Sequence, residues 1–190
     1  MLEPMHEEEP HVATHYAPVA GSLMGDAMAH HLWATDRLID ACSQLSDEQL
    51  QQPAAGIYGS VLQTFRHMVE TDRWYLGFFP GDPGKLPTIP EENDMTLDQM
   101  REEMARNAEA WTQILGEGPD PDADLPELTP EWEFHVPVGF RLAQAAHHGT
   151  DHRSQICTAL TALGVEPPQI DVWAFGEATG RSRAVMLKQA

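Results

Sequence analysis

The 190-residue chain carries 11 Lys+Arg against 30 Asp+Glu, a formal net charge of −19. Most of its surface would therefore repel nucleic-acid phosphates and an anionic membrane, and neither is expected as a partner. With 42% hydrophobic and 22% charged residues, it has the balance of one globular domain with room for a core.

No apolar run approaches the ~20 residues that a bilayer crossing needs. The N-terminal stretch MLEPMHEEEPH is acidic where a signal peptide would be basic and then apolar, so a cytoplasmic protein is expected. Cys42 and Cys157 sit in apolar helical patterns and not in a CxxC, which predicts reduced core thiols.

Residues 1–21 mix glutamates and prolines without a sustained apolar period and read as a disordered, mobile acidic tail. His6, His11 and His15 lie there, where a flexible segment offers no fixed ligand geometry. Residues 22–190 are expected to form a single domain.

Its first helix is predicted from Ser22 to about Leu45, with Met24, Met28, His31, Thr35, Leu38, Cys42 and Leu45 at steps of three and four. Ser46-Asp47-Glu48-Gln49 has the form of a capping box that opens a short turn.

The second helix is predicted from about Tyr58 to Phe79, with two adjoining apolar rows led by Leu62 and Val61. A loop rich in proline and glycine, from Pro80 to about Met95, leads to another capping box at Thr96-Leu97-Asp98-Gln99. The third helix follows, carrying Leu97, Met100, Met104, Ala108, Trp111 and Leu115 as one stripe.

Residues 116–130 read as an acidic, proline-broken connection, and Trp132 to Val136 alternate enough for a short extended piece. The fourth helix is expected to open with Pro137 at its first position and to stop at Gly164, with one more helical turn at Asp171 to Phe175. Four helices with almost no strand signal predict an all-α four-helix bundle.

The stretch HHGTDHRSQI, from His147 to Ile156, holds three histidines. On a wheel of ~100° per residue, His147 faces solvent while His148 and His152 border the apolar arc. Four residues apart, those two imidazoles stack on one face and can share a metal ion. A third ligand must come from another helix. His67, between Phe65, Met68 and Val69, has the stronger claim because a buried histidine there needs a polar partner; His31 is the other candidate.

Three neutral imidazoles suit Zn, Ni or Fe as the divalent ion and leave positions open for water or substrate. HGTDH lacks the glutamate of HExxH, and ExxH pairs occur only in the tail, so neither a zinc protease nor a di-iron carboxylate bundle fits.

The segment from Phe65 to Leu76, FRHMVETDRWYL, followed by HGTDHRSQI from His148 to Ile156 and GVEPPQID from Gly164 to Asp171, resembles the DinB/YfiT-like superfamily of metal-binding four-helix bundles. The resemblance covers roughly Ser22 to Phe175. It implies His67, His148 and His152 as the metal triad; Ser154 departs from the glycine common at that place.

The resemblance further implies a transferase or isomerase that uses a low-molecular-weight thiol, activated as thiolate at the metal, with a small electrophile as second substrate. Alternatives are a non-catalytic, stress-related metal-binding bundle and a metal-dependent hydrolase. An apolar face such as that of the first helix could form a homodimer.

Arg141, seven residues before His148 on the same face, is a candidate for gripping a cofactor carboxylate, or else for an ion pair. Gln155 is a candidate partner for a histidine or a ligand water. The wheel sets Glu70 on the solvated face, and Arg153 beside the apolar arc as an anchor for a helix end or loop carbonyl. Trp33, Trp74 and Trp111 read as packing residues.

Overall fold

The computed structural model describes residues 16–79, 94–128 and 130–185. His6, His11 and His15, and nearly all of the loop that begins at Pro80, lie outside the described residues. Four long helices, α1 (Gly25–Cys42), α3 (Val61–Leu76), α4 (Leu97–Glu117) and α5 (Val138–Ala162), form the body. Shorter α2 (Asp47–Gln51) and α6 (Val172–Ala178) flank it, with a two-stranded antiparallel ribbon of β1 (Glu127–Leu128) and β2 (Glu133–Phe134). The chain is all-α in its architecture, as the periodicity predicts.

Helix starts follow from side-chain chemistry. Ser46, Ser60 and Thr96 each accept a hydrogen bond from the backbone N–H three residues on, and a glutamine there accepts in return from the cap's own N–H. These reciprocal bonds satisfy two donors that a helix would otherwise leave open.

The box at Ser60 also corrects the second helix: it begins at Val61, so Tyr58 lies in the turn before it. Pro137 is the residue before α5 and not its first position. Asp171 caps α6 through Trp173 N–H and Ala174 N–H. The stretch from Trp132 to Val136 contributes β2, whose partner β1 lies in the acidic connection where no strand is expected from sequence.

α3 packs on α4 and α5, and α1 packs on the same two helices, so the four form a square with α1 and α3 on opposite corners. The core between them contains Met28, Leu38, Ile39, Phe65, Met68, Val69, Met100, Met104, Trp111, Ile156 and Leu160. Trp33 is buried as well, whereas Trp74 is partly buried and meets Phe78 edge-on. Cys42 is buried and Cys157 half-buried, and both are free.

Tyr16, inside the segment read as a tail, is 7% exposed and joins this core. Among the described residues, no helix is long and apolar enough to cross a membrane.

Candidate metal centre

The seam between α3 and α5 brings three imidazoles together. His67 projects from the middle of α3, and His148 and His152 from adjacent turns of α5. His148 Nε2 lies 3.2 Å from His67 Nε2 and 3.1 Å from His152 Nε2. One ligand atom from each residue falls within 4.8 Å of the others, and this group could hold a metal ion. His147 is exposed.

The donor chemistry fits a cation. A tetrahedral ion with bonds of 2.0–2.1 Å sets its nitrogen ligands roughly 3.3–3.4 Å apart, close to both Nε2 separations. Nitrogens this near one another direct lone pairs into one space, which needs a proton or a cation between them.

Burial, followed by the neighbouring His152 and His67, lowers the pKa of His148 from its ordinary 6.5 to about 4. Burial and His152 lower that of His67 as well. Both imidazoles are thus poised neutral near pH 7, the form that can ligate.

The Oε1 of Gln155 lies 2.9 Å from His152 Nδ1. As a carbonyl oxygen it accepts the Nδ1 proton, which leaves the lone pair of His152 on Nε2, facing the other two rings. No cysteine or carboxylate belongs to the group among the described residues.

Two tyrosines flank the triad. Tyr58 lies flat on His67, ring centroids 4.3 Å apart at 17°, and Tyr75 meets His148 edge-on at 5.8 Å. The hydroxyl of Tyr75 accepts a hydrogen bond from Gln144 Nε2 at 3.1 Å. Burial raises the pKa of Tyr75, so its hydroxyl keeps its proton at neutral pH. Tyr58 escaped the sequence reading because aromatic periodicity says nothing about a turn residue; the glycines around it, Gly56 and Gly59, were the available signal.

His31, the other candidate ligand, is not part of the group. It is buried in α1, its Nε2 3.2 Å from Asp72 Oδ1 and its Nδ1 2.9 Å from Arg153 Nη1. Arg153 also donates to the carbonyl of His31 and the hydroxyl of Thr35, each at 3.2 Å.

Arg141 is 4% exposed. Its Nη2 donates to the carbonyl of Leu125 at 3.2 Å and to Glu127 Oε2 at 3.3 Å, and its guanidinium lies 3.5 Å from the centroid of Phe78. A ligand carboxylate at this arginine would compete with Glu127.

Glu70 is not on a solvated face. It is 6% exposed, with Oε2 3.7 Å from Arg73 Nη2, and burial raises its pKa. The broad buried arc of α3 extends to the α4 side and takes Glu70 with it.

No curated protein matches the chain in sequence. The profile of the DinB family matches residues 22–184, which include all three histidines and the four long helices, and the chain belongs to that family.

Proposed function

We propose that this protein is a divalent-metal-dependent enzyme that transfers or isomerises through a low-molecular-weight thiol, acting in the cytoplasm on a small electrophile. The observation that carries the reading is the convergence of three imidazoles from two helices, with no fourth protein ligand in the group among the described residues. A structural zinc site is closed by four protein ligands, whereas a catalytic one leaves a position for water or substrate. That contrast ranks the enzyme above a bundle whose metal only stabilises it.

A divalent ion held here would lower the pKa of a coordinated thiol, so that the nucleophilic thiolate is available near neutral pH. The chain's own residues do the rest. His67, His148 and His152 present their Nε2 atoms, and Gln155 fixes the tautomer of His152. The aromatic rings of Tyr58 and Tyr75 border the triad at His67 and His148. A hydrolase ranks lower because HGTDH lacks the glutamate that serves as general base in HExxH.

The test is elemental analysis of protein purified without chelator, beside conjugation assays with a panel of cellular thiols and electrophiles. Stoichiometric metal that is lost in His148→Ala, with turnover dependent on both metal and thiol, is the expected result. Metal retained but no turnover with any thiol would leave the metal site and remove the transferase.

A further inference from the structure

His67 and His152 are held in different ways. The Nδ1 of His152 is tied to Gln155, but no hydrogen bond reaches the Nδ1 of His67 among the described residues. Its plane is set instead by Tyr58, whose ring lies against the imidazole at 4.3 Å and 17°. The same ring meets His152 at 6.2 Å and 83°, so one side chain touches two members of the triad.

Core packing does not press Tyr58 into this place, because the residue is 54% exposed. The turn that carries it does. Pro53 and Ser60 form an antiparallel bridge, Ala54 N–H donates to Gly59 O at 3.1 Å, and Gly59 N–H donates to Ile57 O at 3.0 Å. The Thr64 hydroxyl shares its proton between the carbonyl of Ser60 at 2.8 Å and that of Tyr58 itself at 3.0 Å.

Gly59 has φ +74°, and a Cβ there would come within 2.2 Å of Gln63 Oε1, the atom that accepts from the Ser60 N–H in the capping box. Only glycine satisfies both demands. Backbone chemistry thus fixes where an exposed aromatic ring stands.

We propose that Tyr58 is a positioning residue of the metal centre. By stacking on His67 it restrains rotation about the Cβ–Cγ bond, a broad and soft torsion in histidine, and keeps Nε2 turned toward His148 and His152. It does for His67 what the Gln155 hydrogen bond does for His152. The role rests on the metal-centre reading and assigns to an aromatic face the work that a hydrogen-bonded partner performs at most ligating histidines.

The experiment compares wild type, Tyr58→Phe and Tyr58→Ala, each titrated with Co²⁺ against a competing chelator while the visible d–d bands are recorded. Loss of an outer partner of a ligating histidine lowers metal affinity about 10–100-fold. The expected result is about a tenfold weaker affinity and altered bands for Tyr58→Ala, wild-type values for Tyr58→Phe, and one common melting temperature for the three metal-free proteins.

Three results would overturn the proposal and leave the metal centre standing: wild-type affinity and bands in Tyr58→Ala, equal losses in Tyr58→Phe and Tyr58→Ala, or a metal-free melting temperature that falls in Tyr58→Ala. Absence of Co²⁺ uptake by wild-type protein would remove the metal centre and this role with it.

Discussion

Arg153 sets its Nη1 2.9 Å from Nδ1 of His31, across the α1–α5 interface and inside the bundle. A guanidinium only donates, so Nδ1 is the acceptor and the ring's proton sits on Nε2, where it bonds Asp72. Asp72 also accepts from Trp111 Nε1 at 3.1 Å. One buried chain thereby links α5, α1, α3 and α4. Burial lowers the pKa of Arg153 only to about 10, so the guanidinium enters this chain charged.

Replacing Asp72 removes the carboxylate and leaves the guanidinium of Arg153 without its counter-charge. Breaking a buried ionic network from one side costs about 3–5 kcal/mol. Asp72→Leu should lower the urea midpoint by an amount that corresponds to a loss in this range. An unfolding free energy within about 0.5 kcal/mol of wild type, the usual effect of a surface change, would show that the chain contributes little.

Gly149 lies where this network crosses α5. A Cβ at that position would meet Cε1 and Nδ1 of His31 at 2.3 Å and Arg153 Nη1 at 2.9 Å. Alanine is the better helix former by about 0.8–1.0 kcal/mol, but overpacking a fixed core costs about 1–3 kcal/mol. The bonds of His31 on both nitrogens keep its ring from yielding, so Gly149→Ala is expected to lower the melting temperature. A rise would mean that helix propensity wins and the ring has room to move.

The contrast between this network and the triad explains what could be read from the sequence. His148 and His152 were legible because ligands one helical turn apart are a local pattern, and capping boxes at Ser46 and Thr96 are local in the same sense. The network joins residues 41, 39 and 122 positions apart. No periodicity links such positions, and a wheel gives the face of Arg153 without naming what waits across it. Glu70 was misplaced for a related reason: a wheel drawn for one buried face fails where a helix packs on two neighbours.

Gln155 offers a test of the triad that leaves every ligand in place. Its Oε1 accepts from His152 Nδ1 at 2.9 Å and so selects the tautomer that can ligate through Nε2. Gln155→Ala should weaken Zn²⁺ binding by about 10–100-fold in a chelator competition. Gln155→Glu, which keeps an acceptor at this place, should retain most of the affinity. Equal losses in both variants would show that the hydrogen bond is not what matters.

His30 gives a pH dependence that is separable from the metal. Its Nε2 lies 2.8 Å from the Ile170 carbonyl, with Trp33 and Phe175 around the ring, and it holds the segment before α6 against α1. Burial lowers its pKa below 6.5, ahead of the opposing effect of the Ile170 bond. Near and below pH 6.5 the unfolded chain therefore binds a proton at this site more readily than the folded one. The contribution of His30 is fully present above that pH and is lost as pH falls through 6.5 toward the lower folded value. Stability of metal-loaded protein, measured by urea unfolding from pH 7.5 to 5, should fall less steeply in His30→Gln than in wild type. Parallel curves for the two proteins would show that His30 takes up its proton equally in both states.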